Sequence, residues 1–424
     1  MPEQAPPLTR FGTLLKWSER YTKTDMSYLT DNGVWLVIAQ VAIALIALLL
    51  SIAFARYVPK DVYGTYRFLL SLFWTLTALS LTGVSTVLAR AVAKGKDGAW
   101  LQTIRLSLIW SWPMVLVSLG LSGYYYLAGN ILLAIGALII AVVGPLMQPT
   151  YLFGSYLVGK KRFRDNALTG IVLNLLPALA LLATMFFSKN PLSYLAAYLG
   201  ANVLTAALLS FFIYLRTKPN AEREPKLLNL GGHYSAMNIL NTVASQIDRL
   251  VVYHYLGAVQ LAVYAFATAM PDQIKNIFNN VSTLALPKFA SRPLREIKRT
   301  LNHRLAGFTL LMVFTALAYI LIAPLIFHYL FPAYSDAVFY SQLYAVALIP
   351  IGNMFSETLF QAQAAKKALY IFNVGSALFQ IISVFVGIIF FGLVGVIVAR
   401  IASRAFNLAL GVLAVRFMPE AAPL

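Results

Sequence analysis

The chain has 424 residues, of which 60% are hydrophobic and only 11% charged, with a mean hydropathy of +0.74. That composition excludes a water-soluble domain, and long apolar runs without strand-period alternation exclude a membrane barrel. The net charge is +18 and there is no cysteine, so disulfide frameworks, thiol nucleophiles and thiolate metal sites are excluded.

The expected class is therefore an all-α polytopic membrane protein. Residues 1–32 place Arg10, Lys16, Arg20 and Lys23 among Leu8, Phe11, Leu14, Leu15 and Trp17. That mixture reads as a basic amphipathic segment lying on the membrane surface. The apolar run after it is too long for the core of a signal peptide. Hydropathy then predicts twelve transmembrane helices, at 33–55, 65–88, 106–127, 131–157, 168–187, 194–215, 234–256, 262–286, 305–328, 338–362, 369–391 and 393–415. Glycine and proline punctuate several boundaries, as in Gly129-Asn130, Lys189-Asn190-Pro191 and Phe391-Gly392.

Lysine and arginine alternate across these spans. Three fall in outside loops (Arg56, Lys60 and Lys189) and five inside spans (Arg67, Arg249, Lys275, Arg400 and Arg404). All the others fall in segments that share one side with the N-terminus. The positive-inside rule puts that side in the cytoplasm, with both termini there and the protein in the cytoplasmic membrane. Charge confined to loops in this way also argues against nucleic acid as a partner.

The chain repeats itself at an offset of 198 residues: Arg56-Tyr57-Val58-Pro59 through Tyr66-Arg67-Phe68 aligns with His254-Tyr255-Leu256-Gly257 through Tyr264-Ala265-Phe266. Lys160-Lys161 after span four parallels Lys366-Lys367 after span ten. The expected organisation is an N-terminal six-helix lobe over 33–215, a linker over 216–233 and a C-terminal six-helix lobe over 234–415, followed by a short tail over 416–424. An even number of spans makes the halves parallel repeats, and parallel halves place a substrate site between them near mid-depth. This pattern points to a transporter.

The stretch from Tyr234 to Pro287 carries the polar residues of interest. Asn238, Asn241, Ser245 and Asp248 recur at steps of three or four on its first helix, which puts them on one face. Asp272, Lys275, Asn279 and Thr283 do the same on its second helix. An ionisable group at membrane depth costs about 2.5–3.5 kcal/mol on insertion scales, so such groups face a partner or a cavity. Two adjoining helices striped this way suggest a watered space between packed helices.

Asn32-Gly33-Val34-Trp35, then Phe54-Ala55-Arg56-Tyr57-Val58-Pro59-Lys60-Asp61-Val62-Tyr63-Gly64-Thr65-Tyr66, resembles the opening of the polysaccharide-biosynthesis flippases. Gln246-Ile247-Asp248-Arg249, with Tyr255-Leu256-Gly257 and Val263-Tyr264-Ala265-Phe266-Ala267, resembles the start of their second half. They belong to the multidrug/oligosaccharidyl-lipid/polysaccharide exporter superfamily. The resemblance implies a V-shaped pair of six-helix lobes, with the first two spans of each lining a central cavity. It also implies movement of lipid-linked oligosaccharide between leaflets by alternating access. A monomer, membrane lipid and other polysaccharide-assembly proteins are the partners it implies. No cofactor is expected beyond a coupling proton or sodium ion.

Such a cargo is a sugar chain on a polyprenyl pyrophosphate. Arginine suits phosphate because its planar fork donates two parallel hydrogen bonds, whereas lysine acts as a point charge. Arg249, Lys275, Arg400, Arg404 and Arg67 are the expected substrate-binding cations. Arg400 and Arg404, four apart, share a helix face and repel; they either share an anion or hold separate partners, such as carbonyls or Glu357. Asp272 and Lys275 either neutralise each other or divide into a proton site and an anion site. Arg67 either snorkels or lines the cavity. Asp248, Asp272 and Glu357 are the candidate ion-coupling residues, and Asn238, Asn241, Ser245 and Asn279 the expected polar lining. Asn373, Ser376, Gln380 and Ser383 on span eleven form a hydrogen-bonding face for sugars or for neighbouring helices. No P-loop, dinucleotide fingerprint or metal spacing occurs. A cation-coupled multidrug exporter of the same superfamily is the alternative, though it would favour acidic cavity groups. A membrane polysaccharide polymerase or ligase would carry a large outer loop, and the outer connections here are short, so no enzymatic activity is expected.

Overall fold

The computed structural model describes residues 26–225, 227–284, 289, 294–363 and 365–418. Most of the expected amphipathic segment, the end of the tail, and the 285–286 end of span eight therefore lie outside the described residues. All regular structure among the described residues is helical. The elements are α1 (Met26–Tyr57), α2 (Lys60–Leu76), α3 (Val84–Ala93), α4 (Ala99–Ile109), α5 (Trp112–Leu127), α6 (Ile131–Gly159) and α7 (Phe163–Phe187). They continue with α8 (Pro191–Thr217), α9 (Leu227–Leu284), α10 (Leu294–Leu330), α11 (Val338–Ala345), α12 (Asn353–Ala362) and α13 (Lys366–Phe417). Local chemistry sets several starts. The Asn130 side chain accepts a hydrogen bond from the Leu133 amide at 3.1 Å, and Asn190 accepts from Leu192 at 2.9 Å ahead of the proline-led α8.

Nine helices among the described residues are long and apolar enough to cross a membrane, or ten when the bent pair Lys60–Leu79 and Val84–Ala93 counts as one. Two of the nine, Leu227–Phe278 and Lys367–Phe417, have 52 and 51 residues, far more than the ~20 that one crossing needs. Both fold back on themselves. Gly257 has φ 85° and ψ 179°, and Gly392 has φ 59° and ψ −137°, backbone regions that only glycine enters freely. The Tyr264 hydroxyl thus reaches Asp248, and Ser383 Oγ lies 3.1 Å from Ser403 Oγ. Along straight helices these pairs would stand about 24 and 30 Å apart at 1.5 Å per residue.

Three expected spans are more irregular than hydropathy implies. Span two, expected as one helix over 65–88, bends by 60° between Leu79 and Val84. Ser80 there has extended dihedrals (φ −90°, ψ 166°) and leaves the helical ladder. Span three begins at Ala99 and is interrupted at Trp110–Ser111, ahead of Pro113. Span ten contains a 3₁₀ segment, Val346–Gly352, built around Pro350, whose missing N–H removes a helical bond.

The helices sort by contact into two groups. Elements α1–α8 pack among themselves, and so do α10–α13 with α9. The largest contact between the groups is an antiparallel seam of α2 and α3 against the first arm of α9. At the Gly257 end the seam is tight. A Cβ on Gly64 would stand 1.8 Å from the Ala258 carbonyl oxygen, so the two backbones touch. Tyr63 meets Phe266 at 5.1 Å and Phe68 stacks on Tyr253 at 4.0 Å between ring centroids. Lys60 Nζ lies 2.8 Å from Asp336, and Arg56 donates to the Tyr329 carbonyl at 3.2 Å. At the opposite end the Gly83 amide donates to Ser235 Oγ at 2.8 Å and Arg90 to the Tyr234 hydroxyl at 3.0 Å. That end also carries the basic loops, with Lys96 on Glu224, Lys160 on Asp97 and Arg162 on Asp165.

Replacing Gly64 by leucine is expected to prise the Gly257 end apart. The chain has no cysteine, so spin labels at Tyr57→Cys and Tyr329→Cys report on that end alone. Their separation should lengthen in Gly64→Leu; an unchanged distance would mean that the seam does not hold this end closed.

Candidate functional site

Between its two tight ends the seam opens into adjoining cavities. One, of about 210 Å³, is lined by Arg67, Leu70, Ser71 and Trp74 from α2 and by Gln246 and Arg249 from α9. The other, of about 370 Å³, lies toward the basic end and is lined by Trp74, Thr82, Asn238, Asn241, Thr242, Ser245 and Gln246. The residues of each helix line up by register. Arg67, Ser71 and Trp74 are at i, i+4 and i+7, and Asn238, Asn241, Thr242, Ser245 and Arg249 continue one stripe over three turns.

Arg67 and Arg249 reach the smaller cavity from opposite sides of the seam. The Nε atoms of both are buried and have no hydrogen-bond partner. Arg249 Nη1 donates to Gln246 Oε1 at 2.8 Å, which holds the guanidinium flat against its own helix. Among the described residues no carboxylate lies within 4.0 Å of either group. Two guanidiniums therefore border this cavity with no carboxylate within 4.0 Å among the described residues and with donors still free.

The other two membrane arginines are placed differently. Arg400 Nε lies 3.2 Å from Asp248 Oδ2, and that carboxylate, 1% exposed, also accepts a 2.5 Å hydrogen bond from the Tyr264 hydroxyl. Arg404 donates to Asp272 Oδ1 at 2.7 Å, to the Tyr344 hydroxyl at 2.7 Å and to the Ala347 carbonyl at 3.1 Å. Tyr344 in turn donates to Asp272 at 3.0 Å. Arg400 and Arg404 thus hold separate partners, and both pairs sit among the C-terminal helices rather than in the seam. Asp272 is taken by Arg404, so the neutralising pair of Asp272 with Lys275 does not form. Lys275 is half-buried with no carboxylate within 4.0 Å among the described residues. Glu357 is half-buried too; Gln361 Nε2 approaches it at 3.5 Å, and it has no ion pair within 4.0 Å among the described residues.

One expectation changes. The open space lies between the first arm of α9 and α2, while the two arms of α9 pack directly through Tyr264 and Asp248. Asp248 leaves the polar stripe and Arg249 joins it. At 3.6 residues per turn Arg249 falls within the arc set by Asn238, Asn241, Thr242 and Ser245, and Asp248 just beyond its edge. The side chain of Asn279 lies outside the described residues. Span eleven uses its polar face on neighbours: Gln380 donates to the Ala244 carbonyl and Ser383 meets Ser403. Trp74, Ser71, Gln246 and the two tyrosines are site residues that sequence reasoning missed. Trp74 and Ser71 were signalled by their register with Arg67.

A helical membrane carrier with a cationic, lobe-spanning cavity is the class these features define. Its family is evident from sequence: a model described as polysaccharide biosynthesis protein matches residues 29–292, and the chain belongs to that family. No curated protein matches it. Among solved structures it is similar to the lipid II flippase MurJ in an inward closed conformation, with TM-score 0.67 and 15% identity over 91% of this chain and 88% of that one. It is also similar to an outward-facing multidrug resistance MATE family transporter of the MOP superfamily, with TM-score 0.62 and 16% identity over 91% and 94%. A Pyrococcus furiosus MOP superfamily transporter whose binding pocket is described as of reverse polarity gives TM-score 0.54 and 14% identity over 91% and 94%. At these identities the likenesses show the fold, which is that of the MOP-superfamily flippases and transporters.

Removing one partner of the Asp248–Arg400 pair leaves a charge buried and alone. Asp248→Ala is expected to destabilise the protein by roughly 3–5 kcal/mol, read as a lowered unfolding midpoint in detergent micelles. Asp248→Leu combined with Arg400→Leu should recover much of that loss; a double variant as unstable as the single one would show that the pair is not what was lost.

Proposed function

We propose that this protein is a flippase that moves polyprenyl-pyrophosphate-linked oligosaccharide from the cytoplasmic to the outer leaflet, for the biosynthesis of surface or exported polysaccharide. The observation that carries the reading is the pair of uncompensated arginines, Arg67 and Arg249, facing one cavity from the two sides of the seam. A pyrophosphate offers oxygens on two phosphorus atoms, and each arginine can hold one phosphate bidentately. An organic cation would meet only like charge there, which weighs against the multidrug alternative.

The topology we infer has twelve spans in two parallel six-helix halves, with both termini in the cytoplasm. Three supports bear on it: the fold-backs at Gly257 and Gly392 divide α9 and α13 into two crossings each, the bent pair adds one more, and the basic loops gather at one end. With that end cytoplasmic, the seam's Gly257 end faces outward and its Gly83–Ser235 end inward, and both are tight around the cavities, an occluded arrangement. Alternating access would open the two ends in turn. Asp248 and Asp272 are the coupling residues in this reading. A proton taken by either carboxylate would release its guanidinium and loosen the C-terminal helices against one another. The chain acts as a monomer in the cytoplasmic membrane.

Arg67→Gln and Arg249→Gln should each lower flipping in proteoliposomes loaded with fluorescent lipid-linked oligosaccharide by about tenfold or more. Lysine at either position should retain part of the activity, since it keeps the charge and loses the fork. Unchanged flipping in the double glutamine variant would remove the anion site. Export of organic cations by the same vesicles would move the assignment to the multidrug alternative.

A further inference from the structure

The two cavities form one groove, because Trp74 and Gln246 line both of them. Whatever lies against Arg67 and Arg249 must continue past Trp74 onto the larger, inward part. That part has the size of a ligand site, about 370 Å³ against the roughly 300–1,000 Å³ usual for such sites. No titratable side chain lines it. The carboxamides of Asn238 and Asn241 make no hydrogen bond among the described residues. The hydroxyls of Thr242 and Ser245 donate back to the carbonyls of Asn238 and Thr242 at 2.9 and 2.7 Å, which leaves their oxygens as acceptors. Trp74 stands 38% exposed among these polar groups.

We propose that this half of the groove is a saccharide subsite, with Trp74 as its platform and the Asn238 and Asn241 carboxamides as its hydrogen-bonding wall. It takes the sugar joined directly to the pyrophosphate, and it takes an uncharged one. The proposal rests on the assignment of Arg67 and Arg249 to the pyrophosphate and adds the chemical class of the group attached to that anion. A pyranose has an apolar C–H face and a rim of hydroxyls. The negative face of an indole attracts polarised C–H groups, and each carboxamide offers the rim both donors and an acceptor. A uronic acid in the same place would lose water from its carboxylate and find no cation, the two arginines being held by the pyrophosphate. The constraint falls on the first sugar, the one this cavity would hold.

The test uses the full-length protein in lipid nanodiscs and three probes: polyprenyl pyrophosphate, the same lipid carrying one N-acetylglucosamine, and the same lipid carrying one glucuronic acid. Wild type should bind the neutral glycolipid about tenfold more tightly than the bare pyrophosphate. The double variant Asn238→Ala/Asn241→Ala, whose residues line only the larger cavity, should erase that gain while leaving affinity for the bare lipid within a factor of about two, which also shows that it is folded; Trp74→Ala, which borders both cavities, should bind the bare and the neutral glycosylated lipid alike. Trp74→Phe should keep part of the gain. If bare and glycosylated lipids bind alike, or if Trp74→Ala leaves the gain intact, the saccharide subsite is wrong and the pyrophosphate site stands. If the glucuronic acid lipid binds as tightly as the neutral one, the preference for an uncharged sugar falls. If wild type binds none of the probes, or binds them no better than Arg67→Gln does, the pyrophosphate reading fails and takes this one with it.

Discussion

The contact of Arg400 with Asp248 fixes where the first arm of α9 points, and the rest of the site depends on that direction. Asp248 is almost fully buried and is held from two sides, by the guanidinium at 3.2 Å and by the Tyr264 hydroxyl. A helix so pinned cannot rotate without exposing a charge pair to apolar surroundings. The next residue, Arg249, lies about a quarter-turn further round and is therefore delivered to the adjoining face, which lines the seam. One carboxylate on one side of the helix thus decides which cation stands on the next.

The seam itself is a compromise between closure and openness. Where Gly64 meets Ala258, backbone touches backbone and aromatic rings fill what remains, so water is excluded. Over the next three or so turns the facing residues become Arg67, Ser71, Trp74, Gln246 and Arg249, which cannot interdigitate without burying unpaired charge. The helices stay apart there because their side chains are polar and long, and the cavity is the result. Packing at one end and electrostatic incompatibility in the middle are both written on the same two helices.

The four membrane arginines divide into two kinds on the basis of counter-charge. Arg400 and Arg404 each have a carboxylate and a tyrosine within the C-terminal helices, and they hold that group of helices together. Arg67 and Arg249 have none, and they face space. An ionised group at membrane depth is costly to keep without a counter-charge, and among the described residues it is the second kind that lacks a carboxylate within 4.0 Å. Lys275, without a carboxylate within 4.0 Å among the described residues, belongs with them in charge though not in the lining of the two cavities.

Sequence alone determined the membrane class, the helical architecture, the approximate borders of most spans and the five cations at membrane depth, because hydropathy and charge act residue by residue and leave their mark locally. The 3.6-residue period also yielded Asn238, Asn241 and Ser245 as lining residues. It could not decide between Asp248 and Arg249 for the same stripe, since adjacent positions differ by only 100° and a broad polar arc admits either. Nor could it tell which carboxylate each arginine would take: Asp248 and Arg400 are separated by 152 positions, Asp272 and Arg404 by 132, and nothing in either segment encodes the other. Those pairings arise from how the hairpin arms at Gly257 and Gly392 pack. Only the tertiary structure therefore separated the arginines that pair with carboxylates from those that line a cavity.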